Sequence, residues 1–254
     1  MHALLLAAGR GSRLRPVTDT IPKCLVAIHG RPLLDYWLDL LLSNGIARVL
    51  INTHYLADQV RAHVAASPWR GRIDLVHEDE LLGTGGTIIA NRAYFGREPF
   101  LVAHADNLTG FDPAALVSAH NARPAGCALT MLTFETDDPR SCGILEIDRA
   151  GIVTAFHEKV ANPPGNLANA AVYIVEPEVV DFGLALGKPV VDFQTEIIPA
   201  FVGRILAVPS DGYHRDIGTP ESLARAHREY VPSSGKFPEA QAKAARSTVV
   251  ISSS

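Results

Sequence analysis

The chain has 254 residues, 47% of them hydrophobic and 20% charged, with a formal net charge of −4. That length holds one large α/β domain or two small ones, and the slightly acidic balance excludes a general nucleic-acid binder with a broad basic face. Its three cysteines, Cys24, Cys127 and Cys142, are widely spaced and odd in number, which argues against a disulfide framework or a cysteine metal site and for reduced thiols.

The apolar opening ALLLAA is six residues long, too short for a signal-peptide core or a membrane span, so a cytoplasmic protein without a membrane partner is expected. Apolar runs at residues 3–7, 49–52, 73–77 and 100–103 predict buried parallel strands. Between the first two, Leu33, Leu34, Trp37, Leu38, Leu41 and Leu42 recur at helical spacing, and Asn44-Gly45 ends the element. Further helices are expected over 56–66, 84–94 and 113–121. This alternation predicts an α/β fold with a doubly wound, mostly parallel, Rossmann-like sheet. Beyond residue 125, CALTMLTF, GILEID, GIVTAFHE and NAAVYIVE predict short strands of a smaller antiparallel insertion. Residues 220–230 read as a last helix, with Thr219 as cap and Pro220 in its first turn. One catalytic domain over 1–231 and a C-terminal tail over 232–254 are therefore expected, with no internal repeat.

The first strand runs into Gly9-Arg10-Gly11-Ser12-Arg13, and between Gly9 and Lys23 four cations (Arg10, Arg13, Arg15, Lys23) face one acid, Asp19. A glycine turn after a strand exposes backbone N–H groups that bind phosphate. No Walker spelling is present, and Leu14 stands where a dinucleotide fingerprint needs its third glycine. A small phosphorylated anion is the expected partner.

The string Leu6-Ala7-Ala8-Gly9-x-Gly11-Ser12-Arg13-Leu14-x-Pro16, followed by Pro22-Lys23, resembles the signature of sugar-1-phosphate nucleotidyltransferases. Five later segments resemble that family in order: ELLGTGGTI (80–88), LVAHADN (101–107), GIVTAFHEKV (151–160), NAAVYIVEP (169–177) and YHRDIGTPESL (213–223). The resemblance implies attack of a sugar-phosphate oxygen on the α-phosphorus of a nucleoside triphosphate. It implies catalytic Arg13, Lys23, Asp106 and Asp216, the two aspartates also holding Mg²⁺. It further implies a nucleotide site of Ala7, Ala8, Gly9, Gly11, Ser12, Arg13, Lys23, Glu78, Gly83, Thr84, Gly85 and Asp106. The sugar phosphate would meet Gly143, Glu158, Lys159, Asn169 and Glu196. Most similar are guanylyltransferases of mannose or manno-heptose 1-phosphate, and a homo-oligomer is compatible with the resemblance.

A carboxylate at Glu78 or Glu80 accepts from guanine N1–H and N2–H, whereas uracil offers one donor, which favours GTP. Competing readings are uridylyl or thymidylyl transfer within the family and a nucleotide-sugar-binding regulatory subunit that has lost catalysis. The chain departs from the family pattern at Cys24, at His104-Ala105 before Asp106, and at Ala171 in Asn169-Ala170-Ala171. His104 and His214 are expected to hydrogen-bond rather than bind Mg²⁺. His54 is expected to be a satisfied loop residue, and Asp192 suits a helix cap as well as Glu196 suits a sugar contact.

Overall fold

The computed structural model describes residues 1–231; the expected tail at 232–254 lies outside them. The opening strand β1 (His2–Leu6) is covered on both faces. Ala3 and Leu5 pack into one hydrophobic cluster and Leu4 into a second, which is why its apolar run is continuous rather than alternating. A short hairpin, β2 (Ala27–Ile28) and β3 (Arg31–Pro32), leads into α1 (Leu33–Leu42). The stripe of α1 is fully buried at Leu33, Leu34, Leu38 and Leu41, and Trp37 Nε1 donates to the Asn107 carbonyl at 2.9 Å.

The alternation continues through β4 (Arg48–Thr53), α2 (Ala57–Ala66), β5 (Ile73–His77), α3 (Gly83–Ala90), α4 (Arg92–Phe95) and β6 (Phe100–His104). β1 pairs in parallel with β4 and β6, and β4 with β5. Two helix expectations shift. Leu56 adopts φ 50°, so α2 starts one residue later. The helix expected over 84–94 divides at Asn91, whose side-chain amide donates to the Thr87 carbonyl and competes with the helix ladder.

Next come β7 (Asn107–Thr109), α5 (Pro113–Asn121), β8 (Leu129–Glu135), β9 (Gly143–Ile147), β10 (Val153–Glu158) and β11 (Leu167–Val175). The antiparallel strands extend the main sheet: β11 pairs antiparallel with β6, β8 and β9, and β10 with β9. The path β10-β9-β11-β6-β1-β4-β5 results. α6 (Pro177–Ala185) follows, then β12 (Ile205–Pro209), parallel to β8. β13 (His214–Asp216) pairs antiparallel with β7, and α7 (Pro220–Glu229) closes the described chain. Thr219 caps α7 through a reciprocal capping box with Ser222. Among the described residues, no helix is long and apolar enough to cross a membrane.

Candidate active site

The carboxyl ends of β1, β4, β5 and β6 converge on a cavity of about 330 Å³, the usual ligand position in an open α/β sheet. Ala7, Ala8, Gly9, Gly11, Ser12, Arg13, Lys23, Glu78, Gly83, Thr84 and Asp106 all line it. The loop after β1 is held at both ends. Ala7 N–H donates to Asn52 Oδ1 at 2.7 Å, and Thr18 Oγ1 donates to the Gly11 carbonyl at 2.7 Å. Gly11 has φ 61°, and a Cβ there would come within 2.9 Å of Thr18 Cγ2, so both conformation and space call for glycine.

Against the loop stands a charge cluster. Lys23 Nζ donates to Asp106 Oδ2 at 2.8 Å and to Asp216 Oδ1 at 2.7 Å, while Arg13 Nη2 lies 3.4 Å from Asp216 Oδ2. The 203 residues separating Arg13 from Asp216 are bridged by the β7–β13 pairing, in which Asp216 is the register partner of Asn107. Burial alone would lower the Lys23 pKa, but Asp106 and Asp216 outweigh it and the net shift is upward. For Asp106, burial pushes upward and is outweighed by Lys23 and His104, leaving the carboxylate below its ordinary range. The cluster is therefore an ammonium held between two carboxylates. Arg15 pairs with Asp19 at 3.1 Å, outside this group.

At the far end of the cavity, buried Glu78 accepts on Oε1 from Asn52 Nδ2 at 2.9 Å and Thr87 Oγ1 at 2.6 Å, and on Oε2 from Leu82 N–H at 3.4 Å. Asn52 and Thr87 also line the cavity and escaped the sequence reading; the one signal was a polar residue interrupting an apolar strand end. Glu80 is exposed outside the lining. Gly85 sits behind the lining, its N–H donated to the Val191 carbonyl at 2.8 Å.

The expected sugar-side residues lie outside this cavity lining. Glu158 and Gly143 face each other across the β9–β10 ladder. Lys159 Nζ lies 3.2 Å from Glu158 Oε1, whereas Glu158 Oε2 is buried with no hydrogen-bond partner among the described residues. Asn169 builds a bulge in β11: its Oδ1 accepts from Ala171 N–H at 2.9 Å and its Nδ2 donates to Tyr173 Oη at 2.7 Å. Glu196 has both carboxylate oxygens engaged by near neighbours in the chain. Its Oε2 accepts from Asp192 N–H at 2.9 Å and its Oε1 pairs with Lys188, which holds its pKa down. Asp192 caps this turn, accepting from Thr195 N–H at 2.8 Å.

The histidines divide. His54 Nδ1 donates to the Glu78 carbonyl at 2.9 Å. His214 Nδ1 lies 3.1 Å from Thr109 Oγ1, and burial lowers its pKa to about 3. His104 lines the cavity with its Nε2 enclosed and without a hydrogen-bond partner among the described residues, and burial keeps its pKa low against the pull of Asp106 and Asp192.

Two carboxylates converging on one cation form a hard oxygen donor set that suits Mg²⁺, which takes few protein ligands and keeps its waters. Among the described residues, no group of three or more His, Cys, Asp or Glu forms a metal cluster.

The sequence model of the family described as nucleotidyl transferase matches residues 2–232. A mannose-1-phosphate guanylyltransferase of Mycobacterium tuberculosis is 32% identical over 236 residues, covering 91% of this chain and 65% of that protein. The catalytic subunit beta of mannose-1-phosphate guanylyltransferase from Drosophila pseudoobscura pseudoobscura is 29% identical over 238 residues, covering 91% of this chain and 63% of that protein. The chain thus spans a little under two thirds of the length of these curated relatives. Among solved structures, HddC from Yersinia pseudotuberculosis complexed with GMP-PN has 27% identity and a TM-score of 0.76, covering 91% of this chain and all of that one. A Bacillus anthracis protein crystallised with sucrose shares the fold at 22% identity, with a TM-score of 0.80 over 93% of this chain and 98% of that one. Matched over nearly all its described length, the chain belongs to the nucleotidyl transferase family.

Proposed function

We propose that the protein joins a nucleoside monophosphate, GMP from GTP, to mannose or manno-heptose 1-phosphate and releases pyrophosphate. The observation that carries this reading is that Lys23, Arg13 and Asp106 line the cavity that holds the glycine loop, with Asp216 paired to both Lys23 and Arg13. A phosphate oxygen of the sugar 1-phosphate bonds to the α-phosphorus as the bond from that phosphorus to the β-phosphate oxygen breaks. Pyrophosphate leaves with the electron pair, and no protein nucleophile or proton transfer is needed.

The barrier is repulsion between two anions, so positioning and charge neutralisation do most of the work. Lys23, kept as an ammonium by its carboxylate neighbours, and Arg13, with an exposed side chain, supply positive charge toward the triphosphate. Backbone N–H groups from Gly9 to Ser12 cradle the phosphates. Asp106 and Asp216 would hold Mg²⁺, which when bound neutralises phosphate oxygens and the developing charge on the leaving group. Glu158 Oε2, buried and unpartnered, is an acceptor for a sugar hydroxyl, and Lys159 beside it pairs with the sugar phosphate.

Guanine is supported by the names of the similar guanylyltransferases and by the neighbour solved with GMP-PN. Glu78 stands at the base end with one oxygen taken twice and the other held only by Leu82 N–H. The test crosses the four ribonucleoside triphosphates and dTTP with a panel of sugar 1-phosphates in Mg²⁺ and measures pyrophosphate release. Fastest turnover with GTP and a manno-configured sugar is expected. A UTP or dTTP preference overturns the guanylyl reading, and absence of turnover with every pair overturns the transferase reading.

A further inference from the structure

Leu6, the last residue of β1, has Asn52 as register partner on one side and His104 on the other. In a parallel sheet, residues in register point to the same face, and all three line the cavity. The two polar neighbours of Leu6 differ in one respect. Asn52 is fully engaged, by Ala7 N–H, Glu78 and Thr87. His104 Nε2 is enclosed and meets no hydrogen-bonding atom among the described residues. Every other residue of β6 is a buried apolar one, so packing alone has no use for an imidazole there. A buried polar atom left unpaired is uncommon enough to call for a partner that arrives from outside.

We infer that His104 is a specificity-determining residue that hydrogen-bonds a ribose hydroxyl of the bound nucleotide. The inference rests on the nucleotidyl-transfer reading. Its location follows from the order of groups along the cavity. Glu78, Thr84 and Thr87 lie at the end proposed for the base; Lys23 and Asp106 lie at the phosphate end. The imidazole sits between them in the sheet: β6 lies across β1 from Asn52, which holds Glu78, and the chain runs on from His104 through Ala105 to Asp106. A nucleotide spanning the two ends carries its ribose across this point. A sugar hydroxyl both donates and accepts, so it satisfies Nε2 in either tautomer.

The experiment compares GTP with its 2′-deoxy and 3′-deoxy analogues, in turnover and in thermal-shift titration, for the wild type, His104→Leu and His104→Gln. If another triphosphate proves to be the donor, its own 2′- and 3′-hydroxyl variants take the place of these. Loss of one hydroxyl is expected to lower wild-type kcat/KM about 10- to 100-fold. His104→Leu should bring the intact nucleotide down to the level of that deoxy analogue and leave the analogue's own rate unchanged. His104→Gln should restore part of the difference, and KM for the sugar 1-phosphate should not move. An unchanged ribose discrimination in an active His104→Leu overturns this inference alone, as does a loss confined to the sugar phosphate. A wild type that neither binds nor turns over any nucleotide overturns this inference together with the proposed function.

Discussion

Asp216 and Asn107 are register partners in a two-stranded antiparallel ladder, and that pairing brings the Asp216 carboxylate beside Asp106 with Lys23 between them. Lys23 is buried while both carboxylates remain partly exposed, so the ammonium depends on them more than they depend on it. Asp106→Asn should cut turnover by about a thousandfold, the scale seen when a charge-positioning group is lost. Folding should suffer little: Lys23 keeps Asp216, and with solvent screening the cost is about 1–2 kcal/mol in urea titrations. Replacing Lys23 with Met in the same chain should return much of that stability without restoring activity. Wild-type turnover in Asp106→Asn would remove the aspartate from the chemistry.

Gly218 guards the same cluster sterically. A Cβ there would lie 2.9 Å from both Asp216 oxygens and 3.0 Å from Arg13 Nη2, so one of them must move. Gly218→Ala is expected to lower kcat more than tenfold with a melting temperature within a few degrees of wild type, since the displaced groups are at the surface and not in a packed core. A melting temperature that collapses with activity would show that the glycine serves the fold and not the cluster.

The opening half of the fold was legible because its signals are local. Continuous apolar runs mark strands covered on both faces, as Leu4 and Leu5 show by feeding opposite clusters, and the glycine loop is spelled within ten residues. Asp216 could be named by resemblance, but its nearness to Asp106 depends on a ladder between distant three-residue strands that no periodicity announces. Glu196 shows what spacing leaves out. Its spacing suited a substrate contact, yet Lys188 and the Asp192 N–H, both close in sequence, occupy its oxygens. Asn169 likewise is engaged by Tyr173 and Ala171 N–H, a use visible only once the β11 bulge is formed.

That bulge contains a correctable strain. Ala171 adopts φ 54° in the interior of β11, where a residue with a Cβ pays about 1–2 kcal/mol. Ala171→Gly relieves it but gives up a buried methyl and adds chain entropy, leaving a net gain of about 0.5–1 kcal/mol. The expected readout is a melting temperature about 1–4 °C higher with turnover intact. A fall in stability would mean that Ala171 packing outweighs its backbone cost.

His120 gives the stability a pH dependence of definite sign. It is fully buried, with Nδ1 2.8 Å from Thr130 Oγ1 and Nε2 3.1 Å from Glu176 Oε1, and Arg123 also pairs with Glu176. Burial first, and then Arg123, hold its pKa below the ordinary 6.5, against the pull of Glu176. The folded protein therefore keeps His120 neutral at a pH where the unfolded chain has already taken up a proton. Stability from this residue is complete above about pH 6.5 and is lost as the pH falls from there toward the depressed folded-state value. Urea midpoints measured from pH 7.5 down to pH 5 should decline more steeply for the wild type than for His120→Gln, which cannot titrate. Parallel declines in the two proteins would place the proton uptake on other groups.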